Sequence, residues 1–402
     1  MIGFLDSQRP QSIQEVISPQ TSQSTRILIG GAGAPNYGDE LIIRAWIERF
    51  SPPIHAAEPL VFFENSAESC HKFHHSDKSS LATRVSFRDD LTDIADSEKS
   101  LAFWNHVERG FTFMRDFGFA GIGYQGNHKL FNALSFHLHG GGYFYQPRAD
   151  KGFFLGLAAS FAKIYGIPAF ATGIGFGPFD DACPNPERFE EILSYFQLFE
   201  TRDAVSHLHL SRLAPSTNLI SGVDDSFFLP DDKIFRRDSS VRRLHLSLIT
   251  HHLKDLPEGF WPWLVAQSAH FDEIKFWVSF PWEDQEAIDR AQAELPRCSI
   301  ITARECVFYR PPIGESDVFI VQRFHVHLAA ARAGARGFYL AHDDYYRQKH
   351  ESLVALGSGL LPLNGADLPN LGSLPQVQPL DESGLHERKL RVYAACQTGK
   401  PS

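Results

Sequence analysis

Two short stretches place a cation at the junction of an apolar run and a helix-like segment. Thr201-Arg202-Asp203-Ala-Val-Ser206 has its arginine directly after a strand-like run, and Val321-Gln322-Arg323-Phe324-His325 sets an arginine and a histidine two residues apart. A guanidinium offers a planar fork of donors that matches carboxylate or phosphate, and an imidazole changes charge near neutral pH. These groups suit an anionic ligand, and His325 also suits proton transfer. A cation at a helix N-terminus needs compensation, which Asp203 could give Arg202 locally. For Arg323 the plainer partner is Asp317 or another carboxylate, and the residues alone leave both readings open.

Glycine-rich turns accompany these cations. Gly31-Ala-Gly33-Ala-Pro-Asn36-Tyr-Gly38-Asp39-Glu40 opens a helix, where free N–H groups favour anions and small residues allow close approach. Its spacing is not the dinucleotide-binding fingerprint. Asp39 and Glu40 fit two roles, complementing the positive end of the helix or moving a proton. His139-Gly140-Gly141-Gly142 puts three glycines at a strand end, an entropic cost implying that something passes close to that backbone. His139 itself reads as a structural cap or an acid. Gly173-Ile-Gly175-Phe-Gly177-Pro178 repeats the pattern.

The elements that must carry these turns alternate. Strands at Arg26–Ile29, Ala133–Leu138 and Pro168–Thr172 are followed by apolar-periodic helices at Leu41–Phe50, Phe154–Tyr165 and Pro186–Tyr195. After a charged, turn-rich stretch at Pro230–Arg243 the alternation resumes with strands at Leu244–Ile249, Ile274–Val278, Ser299–Thr302, Val318–Val321 and Gly337–Leu340. Helices are expected at Glu283–Glu294 and Phe324–Ala333. The pattern predicts an α/β chain with a flexible tail over 1–25 and two Rossmann-like parallel-sheet lobes, 26–235 and 240–395, facing a cleft. Glu64–Lys99 is polar, His-rich and weakly periodic, and reads as an irregular surface excursion or a mobile flap.

At 402 residues the chain exceeds the usual size of one core, which supports two lobes. A net charge of -10 without a basic stripe argues against nucleic acid, so any anion must be met by a few local cations. The five cysteines include no CxxC pair, which indicates neither a disulfide framework nor a zinc knuckle and suits a reducing compartment. No metal site and no cofactor is expected. Without a signal-like start or a long apolar run, a cytoplasmic location is expected, with peripheral membrane contact through a substrate left open.

Read together and in order, the motifs resemble the polysaccharide pyruvyl transferase family: Asn36-Tyr-Gly-Asp-Glu40, Gly140–Gly142, Gly173–Pro178, Thr201-Arg202-Asp203 with Ser206, Asp224 with Phe227, and Arg323-Phe-His325. The resemblance implies a fold like the two-lobed GT-B glycosyltransferases. It also implies transfer of a pyruvyl group from phosphoenolpyruvate to a sugar of a polysaccharide or lipid-linked glycan, as a ketal, with release of phosphate. Arg202, Arg323 and His325 inherit contact with phosphoenolpyruvate, Asn36, Gly38 and Gly140–Gly142 surround it, and Asp39 joins the proton transfers. Where the family often has a lysine, this chain reads His342-Asp343-Asp344-Tyr345-Tyr346, so Tyr345 or Lys349 is expected to substitute. Phe324 stands where an aliphatic residue is usual, and the region Glu64–Gly126, without a counterpart in the family's pattern, is expected to shape the acceptor site. The alternatives are a nucleotide-sugar glycosyltransferase and a noncatalytic sugar- or anion-binding relative.

Overall fold

The computed structural model describes residues 25–50, 59–75, 84–98, 100–118, 121, 133–179, 181–363 and 368–398. The tail expected over 1–25 lies outside them except for Thr25. Strands β1 (Thr25–Ile29), β2 (Leu60–Phe63), β3 (Val85–Arg88), β4 (Ala133–Leu138), β5 (Gly141–Phe144), β6 (Ala169–Phe176), β7 (Phe196–Thr201) and β8 (Leu219–Ser221) form the first sheet. Its order is β3-β2-β1-β4-β6-β7-β8, with β5 also pairing with β6. A short strand β9 (Arg236–Arg237) precedes the second sheet, which comprises β10 (Arg243–Ser247), β11 (Glu273–Trp277), β12 (Cys298–Ile301), β14 (Val318–Val321), β15 (Arg336–Tyr339) and β16 (Leu361–Pro362) in the order β12-β11-β10-β14-β15-β16. Strand β13 (Pro312–Ile313) pairs with β9.

Every described ladder is parallel. Parallel strands are covered by helices on both faces and therefore read as continuous apolar runs. Leu60–Phe63, Ala169–Phe176 and Val318–Val321 are buried at every position. In each sheet the chain starts at a central strand, runs outward to one edge, and returns to continue on the other side. The reversal falls between β1 and β4 in the first sheet and between β10 and β14 in the second. Ligands in such sheets lie beyond the carboxyl ends of the strands at that reversal. Asn36–Asp39 follows β1, and Arg323 follows β14, so the fold alone carries both motifs to the same crevice.

The α/β class and the two parallel sheets are as expected. The described part of the stretch 64–99 is not irregular: it contains helix Ala67–His74, strand β3 and helix Asp90–Asp96, and it follows the unforeseen strand β2. Its polar residues hid this because they are satisfied inside the fold. His74 Nε2 is 2.7 Å from Glu40 Oε2 in a buried pair, and Thr92 donates to the Glu64 carbonyl at 3.0 Å. The turn-rich stretch after Pro230 is also packed down, with Asp231 receiving the buried Arg332 at 2.7 Å. Helix Glu382–Thr398 returns to the first sheet, where Lys389 pairs with Glu200 and Asp225. One apolar cluster, including Leu28, Tyr37, Trp46, Trp277, Phe319 and Val326, joins residues of both sheets.

Candidate active site

The crevice holds a cavity of about 220 Å³. Asn36, Gly38, Asp39, Gly142, Arg202, Arg323, His325 and Tyr345 all line it, joined by Arg148, Glu283, Tyr145, Tyr346 and Lys349. Gly140 and Gly141 lie behind it. The Gly140 N–H donates to Asp225 Oδ2 at 2.7 Å, and a Cβ there would stand 2.9 Å from Asp225 Cγ. What passes close to the triple-glycine turn is therefore this chain's own buried charge.

Arg202 leaves β7 and crosses between two glycines. A Cβ on Gly142 would sit 2.7 Å from its Nη2, and one on Gly175 would sit 2.9 Å from the same atom. Asp203 is not its hydrogen-bond partner, because that carboxylate caps helix Ala204–Leu213 by accepting from the Ser206 N–H at 2.8 Å and from Ser206 Oγ at 3.0 Å. The nearest carboxylate oxygens to the guanidinium, on Asp203 and Asp224, are 3.7 and 3.8 Å away. Arg202 is buried at 7% exposure, and its side chain makes no hydrogen bond among the described residues. Phe324 lies under it, its ring centroid 4.7 Å from Cζ, which accounts for an aromatic residue at that position.

Arg323 is anchored. It donates to Glu283 at 3.0 Å and to Asp284, whose other oxygen accepts from the Ser279 and Phe280 N–H groups. Asp317 is engaged elsewhere, with Arg243 and His245. Burial pulls the Arg323 guanidinium towards losing its proton, but Asp284 and Glu283 reverse this and hold it charged. His325 sits against the start of helix Tyr37–Arg49, where a Cβ on Gly38 would come within 1.9 Å of its Nδ1. Its Nε2 faces Asp224 Oδ1 at 3.4 Å. Burial opposes ionisation of Asp224, yet His325 and Arg202 hold its carboxyl well below the usual range.

Asp39 follows Gly38 in the first turn of that helix, and its carboxylate has no hydrogen-bond partner among the described residues. Burial, reinforced by Glu40 and Glu64, pushes its pKa up to about 6 against the opposing pull of His325. Glu40 and His139 do not reach the cavity. Glu40 accepts from the Gly33 N–H at 3.1 Å and pairs with His74, while His139 Nε2 is 2.6 Å from Glu64 Oε1.

Tyr345 donates to the Gly142 carbonyl at 2.7 Å and stacks on Tyr145 with ring centroids 4.5 Å apart, tying the lobes together over the cavity. Lys349, four residues on, shares its helix face. The Lys349 ammonium lies 3.7 Å from the Tyr345 ring centroid and has no hydrogen-bonded carboxylate among the described residues. Burial and the nearby Arg202 and Arg323 push its pKa well below the ordinary lysine value, although Asp39 works the other way. Arg148 was not singled out by the sequence. It reaches the cavity from the turn Gln146–Lys151 directly after the triple-glycine strand, and that charged turn was the signal for it. Lys349 was expected as the alternative to Tyr345, and the spacing of four brings both to one helix face. Among the described residues no group of three or more His, Cys, Asp or Glu could hold a metal ion, and no helix is long and apolar enough to cross a membrane.

Two parallel-sheet lobes face a small cleft lined by four cationic side chains, Arg148, Arg202, Arg323 and Lys349. The family model for polysaccharide pyruvyl transferase matches residues 36–305, and the chain belongs to that family of transferases. The match ends before Arg323, His325 and Lys349. Among solved structures the chain is similar to UDP-GlcNAc 2-epimerase from Neisseria meningitidis bound to UDP-GlcNAc, at 12% identity and TM-score 0.49, covering 87% of this chain and 89% of that one. It is similar also to UDP-N-acetylglucosamine 2-epimerase from Rickettsia bellii, at 12% identity and TM-score 0.49, covering 93% and 97%. No curated protein sequence matches it.

Proposed function

We propose that the chain transfers the pyruvyl group of phosphoenolpyruvate to a sugar as a ketal, releasing phosphate. The observation that carries this reading is Arg202, a buried guanidinium with no side-chain hydrogen bond among the described residues, lining the same cavity as Arg323 and Lys349. Phosphoenolpyruvate carries a phosphate and a carboxylate on adjoining carbons, and two forks and an ammonium can hold both. A cavity of about 220 Å³ lies below the roughly 300–1,000 Å³ of pockets for drug-sized ligands, which favours this small donor over a nucleotide sugar. The weakly held proton of Lys349 fits the same reading, because a bound anion offsets the neighbouring positive charge. Lys349, rather than Tyr345, then stands in for the family's lysine.

The residues divide the proton transfers. His325, kept beside ionised Asp224, gives a proton to the enol methylene, and the adjoining carbon becomes electrophilic. A sugar hydroxyl attacks that carbon and passes its proton to Asp39. A second hydroxyl displaces phosphate and closes the ketal. One hydroxyl proton makes up for the proton spent on the methylene, and the other leaves with phosphate. Asn36 and Gly38 shape the helix start, with Asn36 Oδ1 accepting from the Gly38 N–H at 3.1 Å.

Calorimetric titration of phosphoenolpyruvate into the native chain and Arg202→Ala tests the donor assignment. Binding in the native chain that weakens at least about 100-fold in the variant is expected, since a hydrogen-bonded buried ion pair is worth several kcal/mol. Equal affinity in both, or none in either, removes the proposal.

A further inference from the structure

A second cavity, of about 700 Å³, opens beside the first, and Ala34, Asn65 and Arg148 line both. Its walls come from Thr92 and Asp96 of helix Asp90–Asp96, from Ser100–Ala102, from the turn Gln146–Lys151 and from Asp181. Thr92, Asp96 and Ser100–Ala102 fall in the region 64–126 that was expected to shape the acceptor site. The two cavities differ in charge. The smaller one sets Arg148, Arg202, Arg323 and Lys349 against Asp39 and Glu283. The larger one sets Asp96, Asp150 and Asp181 against Arg148 and Lys151, and the buried Lys151 is already paired with Asp150 at 3.1 Å. It has no cationic excess to attract an anion. At the boundary between them Asn65 Oδ1 is buried without a hydrogen-bond partner among the described residues, while the same side chain's nitrogen donates to the Gly31 carbonyl.

We propose that this larger cavity binds the acceptor, a neutral, hydroxyl-rich saccharide of one or two rings. The inference rests on the donor reading for its direction, since the saccharide must present hydroxyls to the donor cavity past Asn65 and Arg148. Sugar hydroxyls both donate and accept: the carboxylates of Asp96 and Asp181 take their protons, Arg148 and the Gln146 amide supply donors, and the unpaired Asn65 Oδ1 accepts from a further hydroxyl. The volume is within the range of ligand pockets and leaves room for such a molecule. The carboxylates disfavour a uronic acid or a sugar phosphate.

Saturation-transfer NMR of the full chain with a neutral hexose, a neutral disaccharide, a uronic acid and a hexose phosphate tests this, repeated on Asp181→Ala and on Asp96→Ala/Asp181→Ala, with phosphoenolpyruvate affinity measured in parallel. The neutral saccharides are expected to bind the native chain and to lose about tenfold or more in the double variant, with phosphoenolpyruvate affinity unchanged. Unchanged saccharide binding in the variants, preference for the charged sugars, or no neutral saccharide binding at millimolar concentration overturns the proposal. Asp181 is exposed, so its single variant keeps the test decisive where the double variant does not fold. Failure of the donor reading shows separately, as absent phosphoenolpyruvate binding, and leaves the saccharide result readable.

Discussion

His325 Nε2 lies 3.4 Å from Asp224 Oδ1, a contact that joins the first turn of a helix after β14 to the turn after β8. It brings together one residue from each lobe, so the proposed proton donor is complete only when the lobes face each other. Asp224→Asn keeps the shape and removes the charge. Turnover is expected to fall about 100-fold or more, in line with the usual size of an acid-base contribution. His325→Ala combined with it should cost little beyond His325→Ala alone, because the two act as one unit. Pre-steady-state phosphate release across the four proteins measures this, and losses that simply multiply would show the two residues acting separately.

Gly142 and Gly175 flank Arg202 so closely that neither accepts a Cβ without moving the guanidinium. Gly142→Ala should therefore raise KM for phosphoenolpyruvate about tenfold or more while the apolar core and the thermal midpoint change little. Normal donor KM in that variant would mean that Arg202 does not set the donor position.

Asp39 gives a pH dependence with a definite sign. Burial favours its protonated form and lifts the pKa to about 6, so the ionised base is present above that pH and is lost as pH falls through it. Acceptor-dependent turnover should have an acid limb near pH 6, and Asp39→Asn should show a lower rate without that limb. Persistence of the same limb in Asp39→Asn assigns the titration to another group.

Lys389 makes a stability prediction away from the chemistry. Fully buried, it pairs with Glu200 and with Asp225, and donates to the Val223 carbonyl at 2.9 Å. Burial disfavours its charge, but the two carboxylates more than compensate and raise its pKa. Lys389→Met leaves both carboxylates buried without their cation and should cost about 3–5 kcal/mol in denaturant unfolding. A change of less than about 1 kcal/mol would show that water or rearrangement satisfies them.

The alternation of strand, glycine turn and helix was legible because parallel strands are apolar throughout: the bounds Val318–Val321 and Phe324–Ala333 are the same in sequence and structure. Arg202, Arg323 and His325 were legible for a related reason, since the end of a parallel strand faces the crevice. The strands Leu60–Phe63 and Val85–Arg88 were not. The first has no glycine turn to close it, and the second lies in a segment whose histidines and acids pair with distant partners such as Glu40, which no local pattern reveals. The same holds for the three glycines: their conformation reads as an opening for a ligand, while Gly140 makes room for Asp225 from 85 residues away. Helix Glu382–Thr398 was unforeseen on the first sheet because its anchor, Lys389, meets Glu200 across 189 residues.

The most direct test of the central claim is acceptor-dependent release of inorganic phosphate from phosphoenolpyruvate by the native chain, with Arg323→Ala as control and neutral saccharides and lipid-linked glycans as acceptors. The account predicts release that requires both substrates, is abolished by the substitution, and leaves the methyl group of a ketal on the sugar in the NMR spectrum. Phosphate release that ignores the acceptor, or transfer from a nucleotide sugar in place of phosphoenolpyruvate, would contradict it.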